Sequence, residues 1–296
     1  MEQFHGHFKI ISVVVLLLSV STYHSSELND FYLYLFFFFF RLGMVTIKNE
    51  TNIMVKNAID IIFSGLSFWI VGFGLSFGID EGTNAFTGVG YFMTEVPINK
   101  GEVYAMYFFQ MALASTATTI VSGAMAERTN LKAYMLYSFV STLSTCFPTH
   151  WIWGKNGVLR ELGVIDIAGC SGVHLVGGAA GLAAAVMLGP RTGRFDDDKK
   201  RPQPCSMTNV MLGTFMLWWG WLGFNCGSTF GITGGKALEI VYFHSLDCCP
   251  VEINQLVKFL LEIFDLFGNH CKWVVRNIAN FFQTCSSTSV IFLRTL

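Results

Sequence analysis

The hydrophobic positions of this chain form long runs separated by short polar connections. Four windows contain no Asp, Glu, Lys or Arg: Val103–Ala126, Ala133–Trp153, Cys170–Pro190 and Ser206–Phe230. At about 1.5 Å of rise per residue, about 20 residues are enough to cross about 30 Å of hydrocarbon. Together with one further apolar stretch, the pattern predicts transmembrane helices near residues 57–77, 103–126, 132–153, 170–190 and 207–230. Asp60, near one end of the first, is expected either at headgroup level or facing protein. The predicted fold class is therefore an all-α, polytopic transmembrane helix bundle.

The composition of the chain supports a membrane protein and excludes several other classes. Only 13% of the 296 residues are charged and 52% are hydrophobic, whereas a soluble domain carries about 25% charged residues. A net charge of −1 gives no electrostatic reason to expect a nucleic-acid partner. The 8 cysteines show neither zinc nor disulfide spacing, and we interpret those in apolar segments as small packing residues. We expect no metal and no cofactor.

The positive charges predict the orientation of the helices. Lys and Arg cluster in the loop 191–202, in the turn 127–131 and ahead of the first predicted span. Because positive residues concentrate on the cytoplasmic side of membrane proteins, we predict that these three segments are cytoplasmic. The connections 78–100 and 154–169 then face outward.

Both ends of the chain differ from its middle, and three regions are predicted. Residues 1–43 are an apolar N-terminal segment that is either a signal-anchor-like sequence or an artefact of gene modelling, since Phe36–Phe40 is an unbroken phenylalanine run. Residues 44–236 carry the helical pattern, with small residues mixed among aromatic ones. In residues 237–296 charges recur every few positions, which indicates a divergent tail with amphipathic helices.

The stretch DIAGCSGVHLVGG (166–178) places two titratable residues in an apolar setting. Asp166 precedes the apolar run, where a carboxylate can cap a helix by accepting from its free N–H groups. His174 lies a little over two turns further along and is predicted to be well inside the bilayer. Titratable groups are kept inside membranes mostly for function, but a buried histidine bonded to a neighbouring helix is an equally good interpretation of these residues alone. Gly177 and Gly181 have the spacing of closely packed membrane helices.

Two aromatic segments are further candidates. FPTHWIWG (147–154) places Trp151 and Trp153 near the outer boundary, where tryptophans commonly anchor a helix at the interface. Alternatively, an indole face there could attract a small cation. WWGWLGFNCGS (218–228) combines bulky aromatic residues with glycines and a serine hydroxyl.

Seven segments, in order, resemble the ammonium transporter family within the ammonium/Rhesus channel superfamily. They are IKNETNIMVKNAID, GLSFGIDEGTN, FFQMALASTATTIVSGAMAER, HWIWG, DIAGCSGVHLVGGAAGL, LGPRTGR and GWLGFNCGS, and they cover about residues 44–236. The resemblance implies an eleven-helix fold of two inverted five-helix repeats and a last helix, assembled as a homotrimer with one pore per subunit. No second repeat is recognisable after Gly235, so the resemblance is to the first repeat.

The resemblance also implies an outer site for ammonium. Trp153 matches the tryptophan that stacks on the cation, and Ser228 matches the serine that accepts a hydrogen bond from it. Phe109 matches the aromatic residue that shapes the site. Asp166 matches a structural aspartate that favours recruitment of ammonium.

Below the outer site, the resemblance implies a gate and a hydrophobic pore. Phe224 matches one gate phenylalanine, whereas the other is replaced here by Leu113. His174 matches the first of two hydrogen-bonded pore histidines. The surroundings of His244 and His270 do not match the motif of the second histidine, and neither is assigned that role.

Three hypotheses for function follow. The leading one is an ammonium transporter or channel in the plasma membrane, with ammonium or ammonia as substrate and membrane lipid as environment, serving nitrogen homeostasis. The second is a non-transporting, truncated relative that at most co-assembles with full-length subunits, which the missing second repeat favours. The third, an enzyme using His150, Asp166 and His174, has no nucleophile motif or phosphate loop to support it.

Overall fold

The computed structural model describes residues 39–96, 99–191, 205–206, 208–217 and 228. Within these residues every regular element is helical and none is a strand. Predictions that concern residues 1–38, Phe224 and the tail 237–296 lie outside the described residues.

Six helices follow one another along the described chain. Their bounds are α1 at Ile47–Phe77, α2 at Gly101–Met125, α3 at Leu131–Trp153, α4 at Val158–Glu161, α5 at Cys170–Leu188 and α6 at Thr208–Leu217. A short helical segment at 39–44 precedes α1, and a single 3₁₀ turn at Phe92–Thr94 interrupts the connection between α1 and α2.

The first helix, α1, begins about ten residues earlier than its hydrophobic pattern predicts. Asp60 therefore lies inside the helix rather than near its end, and its side chain is fully buried against protein. Lys56 is also fully buried, and its Nζ donates to the carbonyl oxygen of Thr129 at 3.0 Å. Two wider, π-helical segments, Asp60–Ser64 and Phe68–Gly72, lie within α1. Of the two surroundings expected for Asp60, the protein interior is therefore the one observed, and the charge of Lys56 is satisfied by the turn after α2.

Close contact between α5 and α2 depends on a glycine. A Cβ on Gly177 would lie 2.8 Å from the carbonyl oxygen of Ala117, closer than real Cβ contacts allow. Gly181, one turn further along, is less crowded, with its nearest neighbour, Val121 Cα, at 3.9 Å. The close packing expected from this spacing is confirmed at Gly177.

The segment 39–44 packs on α6 through two further glycines. A Cβ on Gly43 would lie 2.6 Å from the carbonyl oxygen of Ser206, and one on Gly213 would lie 2.4 Å from the backbone nitrogen of Phe40. Small residues at both positions let the two backbones approach each other.

Two of the helices, α1 and α5, are long and apolar enough to cross a membrane. The helices α2 and α3 have 25 and 23 residues, but each carries several hydroxyl side chains that lower its hydropathy. Their bounds agree within two residues with the spans predicted at 103–126 and 132–153. The helical class is thus confirmed for the described residues, while the assignment to the first of two inverted repeats stays a prediction.

Candidate functional site

The helix α2 presents three residues, one turn apart, to a shared hydrophobic cluster. Phe109, Leu113 and Ala117 are all buried on one face of α2 and contact Val173 of α5. Trp153, at the end of α3, packs against the same cluster. The structure therefore brings together three of the residues singled out from the sequence, Phe109, Leu113 and Trp153, from two helices that are separate in the chain.

The carboxylate of Asp166 caps the beginning of α5. Its Oδ1 accepts from the backbone N–H groups of Gly169 (2.7 Å) and Cys170 (3.0 Å). Its Oδ2 accepts from the N–H groups of Ser171 (2.8 Å) and Gly172 (3.1 Å), and from the Ser171 hydroxyl. Helix N-termini leave such donors without intrahelical partners. The capping role expected for Asp166 from the sequence is confirmed.

Trp153 is held against this capped end. Its Nε1 donates to the backbone carbonyl oxygen of Asp166 at 2.7 Å. The indole ring lies over two glycines: a Cβ on either Gly169 or Gly172 would lie 3.3 Å from Trp153 Cη2. Larger residues would push the ring away, so these glycines and Asp166 together fix the position of a half-buried indole.

His174 lies one wide turn further into the same helix. Its side chain is 2% exposed, and it follows Val173, which belongs to the cluster below Trp153. The backbone N–H groups of Val173 and His174 both donate to the carbonyl oxygen of Gly169 at 3.0 Å, the wider spacing of the π-helical start of α5. The cluster that Trp153 contacts therefore includes the residue directly before His174.

The segment 218–228 holds two candidate residues, Phe224 and Ser228, and the structure describes one of them. Ser228 is buried, with 5% of its surface exposed. Phe224 lies outside the described residues. The roles of both stay predictions, as do the roles of the other five candidates.

The histidine of the segment 147–154 is fully buried. His150 lies one turn before Trp153, with Nδ1 2.9 Å from the carbonyl oxygen of Ser76 and Nε2 2.8 Å from that of Asn84. These partners are 74 and 66 residues away in sequence, so no local pattern points to them.

A second polar cluster joins α1, α2 and α3 away from Trp153. The Tyr134 hydroxyl donates to Asp60 at 2.8 Å, and the Thr119 hydroxyl donates to the same carboxylate at 3.0 Å. Nearby, the Arg41 guanidinium donates to Asn57 at 2.7 Å. The only sequence signal for this cluster is an acidic residue in an apolar window.

Beyond the end of α2, one carboxylate ties three segments together. Glu127 accepts from the backbone N–H and the hydroxyl of Thr46 at 2.7 and 2.6 Å and pairs with Arg191 at 2.6 Å. Burial alone would raise the pKa of the Glu127 carboxyl, but the hydrogen bonds from Thr46 and the positive charge of Arg191 outweigh it and hold this pKa below its usual range. Arg128 donates to the carbonyl oxygens of Ala124 and Gly189.

Among the described residues, no group of three or more His, Cys, Asp or Glu side chains is placed to hold a metal ion. An aromatic face next to an apolar cluster and an imidazole is an arrangement that can attract a small cation.

Comparisons with known proteins agree on one family. The sequence model described as Ammonium Transporter Family matches residues 29–249. The chain is similar to putative ammonium transporter 3 of Caenorhabditis elegans, with 52% identity over 66% of this chain and 30% of that protein. It is also similar to putative ammonium transporter 2 of C. elegans, with 42% identity over 67% of this chain and 40% of that protein.

Solved structures show the same fold. A structure described as a sensor Amt protein aligns with a TM-score of 0.65 and 31% identity, covering 82% of this chain and 60% of that one. Mep2 of Candida albicans aligns with a TM-score of 0.63 and 24% identity, covering 77% of this chain and 51% of that one. The chain spans less than half the length of the two C. elegans relatives.

Proposed function

The chain belongs to the ammonium transporter family, and from this premise we propose that it forms part of a pathway that moves ammonium or ammonia across a membrane. Proteins of this family are integral membrane proteins. The observation that carries the proposal is the position of Trp153, whose indole N–H donates to the backbone carbonyl oxygen of Asp166 and whose ring packs against the cluster that contains Phe109 and Leu113. Relatives named ammonium transporters give independent support.

The outer end of the pathway would attract ammonium without binding it too tightly. An indole face stabilises a cation by about 0.5 to 2 kcal/mol. Asp166 accepts hydrogen bonds from the start of α5 and would act through its negative field rather than as a direct ligand. Ser228 would accept a hydrogen bond from the cation. Partial replacement of water in this way lowers the large cost of stripping an ion of its hydration shell.

The next step favours a neutral species. Phe109, Leu113 and the expected gate residue Phe224 would form an apolar constriction that a bare cation cannot cross cheaply. Ammonia, or ammonia with a separately relayed proton, would pass. His174 would offer a hydrogen-bond donor and an acceptor beyond the constriction. Sodium and potassium have no proton to release and would be rejected.

We propose further that the protein is a multi-pass protein of the plasma membrane and assembles as a homotrimer, with the described helices forming the first of two inverted repeats. The family fold supports this arrangement. We expect no enzymatic activity. The competing function, a non-transporting relative that only co-assembles with longer subunits, is not favoured by the comparisons, yet it predicts a different result in the experiment below.

The experiment measures uptake of ammonium by cells that lack their own uptake, with the chain expressed alone. Uptake above that of cells without the chain supports transport; no uptake, with the protein present in the membrane, supports the non-transporting alternative. Trp153→Leu should weaken the apparent affinity for ammonium by about 2- to 30-fold, the equivalent of a lost cation–π contact. His174→Ala should lower the maximal rate.

A matched control is available on the same helix. Trp151 lies two residues before Trp153, but its Nε1 donates to the carbonyl oxygen of Phe86, on the outer connection. Trp151→Leu should therefore leave the affinity nearly unchanged. Equal losses of affinity in the Trp151 and Trp153 variants would overturn the assignment of Trp153 as the cation site.

A further inference from the structure

His150 is enclosed on all sides, although it lies near the outer end of α3. Its side chain is fully buried. A Cβ on Gly154 would lie 2.3 Å from His150 Nδ1, so the backbone folds tightly over the ring. The Gly154 N–H also donates to the His150 carbonyl oxygen at 2.9 Å. The ring has little room to rotate or to admit water.

Both ring nitrogens face groups that can only accept hydrogen bonds. Nδ1 lies 2.9 Å from the carbonyl oxygen of Ser76, and Nε2 lies 2.8 Å from the carbonyl oxygen of Asn84. A neutral imidazole has one N–H donor and one bare nitrogen, while an imidazolium has two donors. Only the imidazolium form makes both hydrogen bonds. The neutral form directs a lone pair at a carbonyl oxygen.

The two carbonyls belong to different structural elements. Ser76 lies in the last turn of α1, and Asn84 lies in the connection between α1 and α2. Two more contacts fasten this connection, one to α3 and one to the start of α4. Trp151 Nε1 donates to the carbonyl oxygen of Phe86 at 2.9 Å, and the Val158 N–H donates to that of Ala85 at 2.9 Å. His150 is the titratable member of this set of three contacts.

The segments around His150 carry both acidic and basic residues. The connection carries Asp80, Glu81 and Glu95, the turn after α3 carries Lys155, and α4 carries Arg160. Arg160 donates to the carbonyl oxygens of Trp153 and Gly154, next to the histidine. Near Ser76, α1 has no charged residue between positions 61 and 79, and α3 has none between 133 and 150.

We propose that His150 is a protonation-dependent clamp that fastens the outer connection, residues 78–96, to α1 and to the end of α3 that carries Trp153. In the imidazolium form both carbonyls are held and the connection is docked. Loss of one proton removes one of the two hydrogen bonds and loosens the connection. The clamp concerns the outer surface itself and does not rest on the identity of the transported species.

The test compares hydrogen–deuterium exchange of residues 78–96 in the wild-type chain and in His150→Gln, both in membranes. Exchange is measured at about pH 5.5 and at about pH 8.5, because these values lie on either side of the range in which histidine usually titrates. The single amide nitrogen of glutamine can reach one carbonyl but not both, at any pH. Comparison at the same pH cancels the chemical dependence of exchange, and all charged groups other than residue 150 are retained. Exchange in α2 reports whether the variant is folded.

At low pH, the clamp predicts that residues 78–96 are about tenfold more protected from exchange in the wild-type chain than in the glutamine variant, because one hydrogen bond to a charged group is lost in the variant. At high pH, the two chains should be equally protected. Trp151→Phe is the matched control, since it removes a contact of the same connection that does not titrate. Its loss of protection should be the same at both pH values. The proposal would be overturned if the ratio of protection of residues 78–96 between the wild-type chain and His150→Gln did not change with pH.

The proposal can still be tested if His150→Gln does not fold. If that variant loses protection throughout α2, the wild-type chain and Trp151→Phe are compared instead. In both, the protection of residues 78–96 relative to α2 should fall by about tenfold from low to high pH. A constant relative protection in both chains contradicts the clamp.

Discussion

Substitution of Asp166 by asparagine gives the sharpest test of how the start of α5 is built. Each carboxylate oxygen accepts from two backbone N–H groups. Oδ1 accepts from those of Gly169 and Cys170, and Oδ2 accepts from those of Ser171 and Gly172. Asparagine keeps one oxygen and replaces the other by an NH₂ group, which cannot accept. At least two backbone N–H groups therefore lose their acceptor.

The expected cost follows from these lost contacts. A buried donor left without a partner costs about 1 to 3 kcal/mol, so two such donors cost about 2 to 6 kcal/mol. A value of about 3 kcal/mol corresponds to about a hundredfold increase in local opening. Because Trp153 is bonded to the backbone of Asp166 at 2.7 Å, the indole should also become less well fixed.

Hydrogen–deuterium exchange of peptides that cover residues 169–174 measures this opening. Asp166→Asn should raise exchange there by about a hundredfold while residues 101–125 change little. Asp80→Asn is the control, because Asp80 is an exposed carboxylate of the connection between α1 and α2. Unchanged exchange at residues 169–174 in Asp166→Asn would refute the capping role and with it the proposed support of Trp153.

Two further predictions concern the opposite side of the bundle and its packing. Since the pKa of Glu127 is lowered in the folded protein, its stabilising contacts with Thr46 and Arg191 are present at neutral pH and above and are lost as the pH falls through that lowered value. Thermal unfolding followed against pH should therefore show a fall in stability on acidification that Glu127→Gln abolishes, and an unchanged acid limb in the variant would contradict this. Gly177→Ala should destabilise the chain by about 1 to 3 kcal/mol, because its Cβ would lie 2.8 Å from a backbone carbonyl oxygen of α2. Gly181→Ala, with its nearest neighbour at 3.9 Å, should be close to neutral, and equal melting temperatures for the two variants would show that the close approach is not rigid.

The helix bounds could be predicted wherever an uninterrupted apolar run ended at charged or turn-forming residues. The bounds of α2 and α3 were predicted within two residues for this reason. The start of α1 was not, because Lys56 and Asp60 are charged and suggested the edge of the membrane. Both are buried and paired with groups outside α1: Lys56 with the Thr129 carbonyl, in the turn between α2 and α3, and Asp60 with the Tyr134 hydroxyl of α3. A hydrophobic pattern carries no information about partners about 70 residues away.

The candidate site shows the same division between local and distant contacts. The cap at Asp166 could be predicted because its partners lie three to six residues along the chain. The burial of His150 could not, because Ser76 and Asn84 approach it only after α1 and α3 have packed. The family resemblance, rather than spacing, brought Phe109 and Leu113 into the site, and the structure places both in the cluster beneath Trp153.

The most direct test of the proposed pathway is ammonium flux through the purified chain in lipid vesicles. The wild-type chain should conduct ammonium or ammonia above the rate of empty vesicles, and a Trp153→Leu, His174→Ala double variant should lose most of this flux while Trp151→Leu keeps it. A flux that is the same in the wild-type chain and the double variant would contradict the pathway described by Trp153, Asp166, the Phe109–Leu113 cluster and His174.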